Sequence, residues 1–345
     1  MSFGLFDVLL LIGAIALLAQ FFRTRSRKRA FADVRSWTKD AGLVLVAITA
    51  ALALVLLPLA VVSVSGPSFL LGLAQLIGVW LIGFGFNVAL VRLDIPGKSI
   101  LAPAVFGLTL LAMWEVAVRA FAIPSVILPP PSAIAAAIGD NLPILWADFR
   151  QTVLKGALTG WVVGCAAGIG AALLVARSDF LRRGLLPVGN FVAALPIVGT
   201  APILVMWFGF GWESKAAVVV VMVFFPVLVN TVAGLADTTA MQRDLMRTYG
   251  AEGAMVRYLQ VPAAMPFVFN GLKIATTLAL IGAIVAEFFG SPTVGMGFRI
   301  STEVGRLNLP MVWAEITVAA LAGSGFYAIV AWIERRVCFW HPSQR

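Results

Sequence analysis

The stretch ADTTAMQRDLMRTYGAEGAMVRYLQVPAAMP, residues 236–266, is a polar segment between two long apolar ones. Residues 241–249 have the pattern of a short amphipathic helix, and Gly250 suits the left-handed position that follows a helix end. A second helix is predicted over residues 252–260, stopping at Pro262. Two short helices around a glycine predict a compact surface element that could enter a groove on a partner protein.

The apolar segments on either side belong to a chain of membrane character. Hydrophobic residues make up 61% of its 345 residues, charged residues 12%, and the mean hydropathy is +0.99. Crossing about 30 Å of hydrocarbon takes about 20 apolar residues in a helix. Nine such segments can be marked, at residues 3–22, 41–62, 69–91, 100–122, 152–176, 186–208, 216–236, 267–289 and 312–333. Because backbone groups in lipid must be paired internally, we expect an all-α polytopic membrane protein.

The basic residues predict the orientation of these nine spans. Assigning each Lys and Arg to a loop puts 18 on one side and 6 on the other, with Lys273 inside a span. By the positive-inside rule, the N-terminus is predicted outside, and residues 237–266 and the C-terminus in the cytoplasm. The net charge of +9 then follows from topology and anionic lipid, and nucleic acid is not needed as a partner.

Three regions are predicted along the chain. Residues 1–99 hold three spans and a basic loop and form an N-terminal accessory unit; residues 100–336 form a six-helix core, and residues 337–345 a cytoplasmic tail. On the outer side, Ser132 is predicted to cap a short helix after the sequence LPPP. The span at 152–176 carries glycines at four-residue spacing, which favours close helix packing, either within this chain or against a second one; these are Gly156, Gly160, Gly164 and Gly168.

Few residues suggest chemistry. Gly97-Lys98-Ser99 lacks the earlier glycine of a phosphate loop, because Arg92 stands there, so nucleotide hydrolysis by this chain is not expected. His341 is the single histidine, and the two cysteines, Cys165 and Cys338, have no companion ligands, so neither a metal site nor covalent catalysis is predicted.

Ionisable residues inside predicted spans are candidates for the solute path, because charges in a membrane are costly. Glu115 and Glu287 are the two candidates, with interhelical hydrogen bonding as the alternative for Glu115. Glu315 lies near an outer span end, and Lys273 is expected to extend its side chain to the cytoplasmic surface.

The polar segment resembles the EAA loop of ABC importer permeases, in which Glu-Ala-Ala is followed by three residues, Gly, and a later Ile-x-Leu-Pro. Asp244-Leu245-Met246 stands at the Glu-Ala-Ala position, Gly250-Ala251 at the glycine, and Pro262 near the terminal proline. The sequences LLAMWEVAVR from Leu110, ILPPPSAIAAAI from Ile127, VPAAMPFVFNGLKIA from Val261 and IVAEFFGS from Ile284 are similar to permeases of nitrate, sulfonate, taurine and pyrimidine-precursor importers.

This resemblance implies a permease subunit in the bacterial inner membrane that works by alternating access. Its implied partners are a cytoplasmic ABC ATPase dimer that hydrolyses ATP, a periplasmic substrate-binding protein, and a second permease copy or homologue. No cofactor is expected on this chain itself. The solute stays open among nitrate, a sulfonate such as taurine, a pyrimidine or thiamine precursor, and a flavin. Two other classes are retained as alternatives: a secondary carrier that uses Glu115, and a membrane scaffold without a transport route.

Overall fold

The computed structural model describes residues 69–92, 98–193, 195–290 and 293–340. The predicted spans at 3–22 and 41–62, the basic loop between them, and His341 lie outside these residues. Every regular element in the described part is helical, which confirms the all-α fold class. The helices are α1 Phe69–Arg92, α2 Lys98–Ala120, α3 Pro131–Asp140, α4 Leu142–Phe149, α5 Leu158–Val175, α6 Asp179–Ala193, α7 Ile197–Phe208, α8 Trp212–Ala236, α9 Ala240–Thr248, α10 Val261–Phe289, α11 Met296–Gly305 and α12 Leu309–Val337.

Two of the long helical stretches contain π-helical turns. The turns Arg150–Ala157 join α4 to α5, and Val256–Gln260 lead into α10. Among the described residues, five helical stretches are long and apolar enough to cross a membrane: Ile100–Ala120, Leu142–Val175, Trp212–Ala236, Val256–Phe289 and Leu309–Val337. Shorter apolar stretches occur at Gln75–Val88 and Ile197–Phe208.

The prediction of one continuous span at 186–208 is wrong. The chain forms α6 and α7 there, with Leu195 and Pro196 outside either helix. Pro196 has no N–H to donate, and its ring disfavours helical backbone at Leu195, so the apolar run is divided although its hydropathy is continuous.

Two helix ends also differ from prediction. The helix expected at 252–260 does not stop at Pro262, because the π-helical turns continue into α10 and Pro262 lies in its first turn, where its missing N–H is tolerated. Ser132 does not precede its helix: α3 begins at Pro131, which places Ser132 inside the first turn.

The chain divides into two compact units, and the division falls between Ala136 and Ala137 in the sequence. In the described part of the first unit, α1 packs on α2 through buried apolar side chains, among them Val79 and Val116. In the second unit, α8 is the central helix and packs along both α5 and α10.

Three of the predicted glycines, Gly160, Gly164 and Gly168, lie along the face of α5 that meets α8, and Gly156, in the π-helical turns before α5, lies beside Lys215 of α8. A Cβ added to Gly160 would lie 2.5 Å from the Cβ of Val219, and one added to Gly168 would lie 2.7 Å from the carbonyl oxygen of Phe224. The glycines therefore allow the two backbones to approach closely, and the neighbouring helix belongs to the same chain.

Candidate functional site

The polar segment between α8 and α10 is built around α9. Thr239 caps this helix in a reciprocal arrangement: the Gln242 N–H donates to the Thr239 hydroxyl over 3.2 Å, and the Thr239 N–H donates to the Gln242 side chain over 3.0 Å. Gly250 follows the helix with φ +65°, a left-handed conformation that a side chain would strain. Local sequence therefore sets both the start and the end of α9.

The apolar side of α9 is not covered by the other described residues of the second unit. Met241, Leu245 and Tyr249 recur every four residues, so they lie along one face, and they are 82%, 56% and 77% exposed. No residue of α9 is buried. A helix whose apolar stripe faces outward offers a ready contact surface to another protein.

The structure distributes the six EAA-like residues along this segment. Asp244, Leu245 and Met246 lie in α9, Gly250 and Ala251 form the turn after it, and Pro262 lies at the start of α10. Asp244 accepts a hydrogen bond from Arg247 over 3.0 Å, which is a surface ion pair and leaves Leu245 exposed beside it.

A second group of polar residues occupies the opposite end of α10. Glu287 is buried and accepts hydrogen bonds from the Thr152 hydroxyl at 2.8 and 2.9 Å and from the Gly297 N–H at 2.8 Å. Thr152 in turn accepts from the Met296 N–H at 2.8 Å. The Glu287 carboxylate thus joins α10, the π-helical turns before α5, and the start of α11.

Asp148 extends this buried polar cluster. It accepts a hydrogen bond from the Gly295 N–H over 2.6 Å and forms an ion pair with Arg299, whose Nε lies 2.9 Å from the second carboxylate oxygen. Gly295 has φ +141°, and a side chain there would collide with Glu287. These contacts hold Gly295 and the start of α11 against Asp148 of α4.

Two further ionisable side chains are buried at this end. Glu315 has no exposed surface, and neither of its carboxyl oxygens meets hydrogen-bond geometry with a partner in the described part of the chain, although the Asp148 carboxyl is its neighbour. Lys215 donates from Nζ to the carbonyl oxygens of Phe210, at 2.8 Å, and Gly290. Lys215 precedes the predicted span at 216–236 but lies within the helix, because α8 begins at Trp212.

Glu115, the other candidate for the solute path, lies in the first unit. Its carboxylate forms an ion pair with Arg119 and accepts hydrogen bonds from the N–H of Ser132, at 2.9 Å, and from its hydroxyl, at 2.7 Å. Glu115 therefore ties α2 to the first turn of α3, which is the interhelical hydrogen bonding considered as its alternative role.

Lys273 also has a partner that the sequence did not suggest. Its Nζ lies 2.8 Å from a carboxylate oxygen of Glu334 on α12, and both side chains are largely buried. Lys273 therefore pairs with another helix, and an extension of its side chain to the surface is not what the structure shows.

Sequence reasoning missed Asp148, Thr152 and Lys215 as members of one cluster. The sequence does show polar residues near the ends of three predicted spans. Which of these ends lie together depends on how the helices pack, and the sequence alone does not show that. Among the residues the structure describes, no group of three His, Cys, Asp or Glu side chains could hold a metal ion.

The chain matches a protein family and several curated proteins. The family described as the binding-protein-dependent transport system inner membrane component matches residues 164–338. The probable ABC transporter permease protein of Haemophilus influenzae is 29% identical over 238 residues, which are 69% of this chain and 96% of that protein.

Two other relatives carry the name of a solute. The formylaminopyrimidine transport permease protein ThiX of Halalkalibacterium halodurans is 32% identical over 245 residues, 71% of this chain and 97% of the relative. The riboflavin transport system permease protein RibX of Chloroflexus aurantiacus is 30% identical over 240 residues, 68% of this chain and 88% of the relative.

Proposed function

Since this chain belongs to the binding-protein-dependent transport system inner membrane components, a family of ABC transporter permeases, we propose that it moves a small solute into the cell by alternating access. ATP is hydrolysed on separate cytoplasmic ABC ATPase subunits, and this chain forms the membrane passage together with a second permease copy or homologue. A secondary carrier centred on Glu115 is no longer favoured, given the family and the ion pair that Glu115 makes with Arg119.

One observation carries the proposal, namely the outward-facing apolar stripe of α9. Met241, Leu245 and Tyr249 would dock into a groove of the ATPase subunit, with Gly250 holding the turn that follows. The distribution of Lys and Arg supports a cytoplasmic position for this helix and for the C-terminus, with the N-terminus outside.

The helices that flank α9 support a lever role. Gly234 at the end of α8 packs against Ala264 and Phe267 at the start of α10, and the Asn270 side chain donates to that of Asn230 over 3.0 Å. Both attachment points of α9 are thus held together by close packing. A displacement of α9 by its partner would move α8 and α10 as one body.

The solute is proposed from the names of the relatives. ThiX and RibX, at 32% and 30% identity, are named for nitrogen heterocycles, whereas the sulfonate permease SsuC and the taurine permease TauC are 26% and 25% identical. A pyrimidine precursor or a flavin is therefore the first candidate. A periplasmic binding protein would deliver it to the side opposite α9.

Affinity purification of this chain from native membranes, with identification of the co-purifying proteins by mass spectrometry, tests the proposal. We expect an ABC ATPase, a second permease chain and a periplasmic binding protein, whose bound ligand can then be identified. Recovery of no ATPase, under conditions that preserve a known ABC complex, would refute it.

A matched pair of variants locates the contact. Leu245→Asp places a charge on the α9 stripe, and Leu307→Asp changes an equally apolar residue, 62% exposed, near the opposite end of the bundle. Charge in an interface core costs enough that ATPase recovery should fall at least about tenfold with Leu245→Asp. It should be unchanged with Leu307→Asp, and equal recovery from both variants would argue against docking on α9.

A further inference from the structure

The last turns of α12 are anchored to the second unit through their inward side. Glu334 forms an ion pair with Lys273 of α10 over 2.8 Å, and Cys338, directly after the helix, is buried in a cluster with Phe269 and Val330. The Cys338 N–H also donates to the Glu334 carbonyl oxygen over 2.7 Å. The end of α12 is therefore a fixed part of this unit, and its outward side has a defined arrangement.

This outward side combines aliphatic, aromatic and basic side chains. Ile329 and Ile333 lie four residues apart on one face and are 59% and 39% exposed, and Trp332 beside them is also exposed. The Arg336 guanidinium carbon lies 5.1 Å from the centre of the Trp332 ring, which is within cation–π distance. Arg335 and Arg336 are both exposed. An apolar stripe thus leads to a pair of arginines at the helix end.

Two aromatic residues continue this surface after the helix. Phe339 and Trp340 are both exposed, and their rings are in edge-to-face contact with centroids 5.2 Å apart. Trp is enriched where a membrane-spanning helix reaches the interface between hydrocarbon and water. The stretch Leu309–Val337 is long and apolar enough to cross a membrane, so Trp332 and Trp340 lie near the point where it leaves the hydrocarbon.

The charge of the outward side is positive. Glu334 is the one acidic residue in the sequence from 316 to 345. Its side chain is 8% exposed and pairs with Lys273, so it neutralises Lys273 and leaves the two arginines uncompensated by it. The predicted orientation puts this end of α12 at the cytoplasmic leaflet, whose anionic lipids attract basic residues close to the membrane.

We propose that the outward side of residues 329–340 binds an anionic phospholipid of the cytoplasmic leaflet. Arg335 and Arg336 bind its phosphate, and its acyl chains lie along Ile329 and Ile333. The exposed aromatic rings lie at the level of its ester groups. This inference goes beyond the proposed transport function, since it concerns how the helical bundle is held in its membrane.

The combination of side chains favours a phospholipid over a soluble anion or an acidic protein. Guanidinium groups bind phosphate through charge-assisted hydrogen bonds. Ile329 precedes Arg336 by seven residues and so lies about 10 Å deeper along the helix. A free phosphate or an acidic protein surface would meet the arginines and leave that deeper apolar stripe uncovered. A phospholipid carries its charge and its acyl chains in one molecule and meets both parts.

Native mass spectrometry of the purified transporter tests the proposal. The complete complex is titrated in detergent with a phosphatidylglycerol and, separately, with a phosphatidylcholine that has the same acyl chains, and the bound lipid is counted. Arg336→Gln removes one charge of the proposed site. Arg306→Gln is the matched control, because Arg306 is also exposed at a helix end but is already paired with Glu303 over 3.0 Å.

The expected loss of affinity follows from the charges removed. A basic residue near an anionic membrane strengthens binding roughly fivefold. We expect phosphatidylglycerol affinity to fall about fivefold with Arg336→Gln and about twentyfold when Arg335→Gln is added. Arg306→Gln should leave it unchanged, and phosphatidylcholine should bind every variant equally weakly. Unchanged affinity in the double variant, an equal loss with Arg306→Gln, or equal affinity of the unchanged protein for both lipids would overturn the proposal.

Co-purification of the ATPase subunit separates this test from the proposed function. Its recovery should be unchanged in all these variants, because the proposed docking stripe lies on α9. Reduced ATPase recovery at unchanged lipid affinity would mean that the arginines bind the ATPase, which would also overturn the proposal. If the double variant does not assemble, Arg335→Gln alone replaces it, with the loss expected for one charge. Absence of an ATPase from the unchanged chain refutes the proposed function instead, and the lipid titration can still be carried out on the permease.

Discussion

Replacing single glycines of α5 by alanine tests how closely α5 and α8 must approach. Gly160 faces α8, and an added Cβ would lie 2.5 Å from the Cβ of Val219 and 2.7 Å from the carbonyl oxygen of Ala216. Gly170 lies in the same helix, and an added Cβ there would meet nothing within 4 Å. The two substitutions change the same atoms in the same helix and differ only in what faces them.

The expected difference can be estimated from these distances. Ordinary contact begins near 3.4 Å, so Gly160→Ala must push α5 and α8 apart by about 0.9 Å or distort both helices. Overpacking of this kind costs roughly 1–3 kcal/mol. Alanine gains up to about 1 kcal/mol over glycine in a helix interior, and both variants share that gain. Gly170→Ala should therefore be neutral or stabilising, and Gly160→Ala less stable than Gly170→Ala by roughly 1–3 kcal/mol.

In the assay, the detergent-solubilised complex is heated, and the fraction that remains intact is measured by size-exclusion chromatography with fluorescence detection. For a folded unit of about 200 residues, this difference corresponds to a gap of roughly 2–12 °C in midpoint temperature. Equal midpoints for the two variants would refute the reasoning, because they would mean that α5 and α8 do not approach each other as closely as the glycines allow.

Three other substitutions follow from the two polar ends of the bundle. Gly250→Val forces a branched side chain into a left-handed conformation, whereas Gly253→Val does not, so ATPase recovery by affinity purification should fall only with the first. Arg299→Ala leaves a buried carboxylate without its ion-pair partner and should cost about 3–5 kcal/mol, seen as early thermal inactivation. Glu315→Gln replaces a fully buried acid beside the Asp148 carboxyl with a neutral side chain of similar size, and should keep or raise the midpoint temperature; a large loss would show that the charge of Glu315 is needed.

The sequence predicts α9 well because short-range chemistry sets its limits. The predicted helix at 241–249 differs from the observed Ala240–Thr248 by one residue at each end. The amphipathic pattern and the glycine after the helix are local signals that need no knowledge of tertiary contacts. The same reasoning locates the long apolar helices, since length and hydropathy alone determine which segments can cross a membrane.

The failures have a common cause in proline. Hydropathy averages over a window, so the apolar run at 186–208 looks continuous although Pro196 interrupts it. At Pro262 the opposite error occurs: a helix end is predicted, but the helix continues. A proline near the start of a helix is accommodated, and the π-helical turns before Pro262 continue into α10. Whether a proline ends a helix depends on which backbone acceptors surround it, and those are fixed by the fold.

The buried polar cluster could not be assembled from the sequence, because its members are more than a hundred residues apart. Thr152 and Glu287 are joined by hydrogen bonds across 135 positions, and Asp148 and Arg299 across 151. The prediction of orientation counts only Lys and Arg in loops, so it assigns Arg299 to a loop and does not consider Asp148. Only the packing of α4, α10 and α11 shows that these residues satisfy one another.

The two ends of the α8–α10 pair differ in how their connecting residues are held. At the α9 end, the connecting segment exposes its apolar stripe, so a partner protein can bind there without first breaking contacts inside the chain. At the other end, Glu287 and Asp148 hold Gly295 and Gly297, at the start of α11, through buried hydrogen bonds, which are costly to break unless new partners replace them. Between the ends, glycines bring α5 and α8 into close contact. A displacement imposed on α9 would therefore reach the α11 end as movement of a stiff helical body, since bending within the bundle would disrupt both the packing and the buried polar contacts.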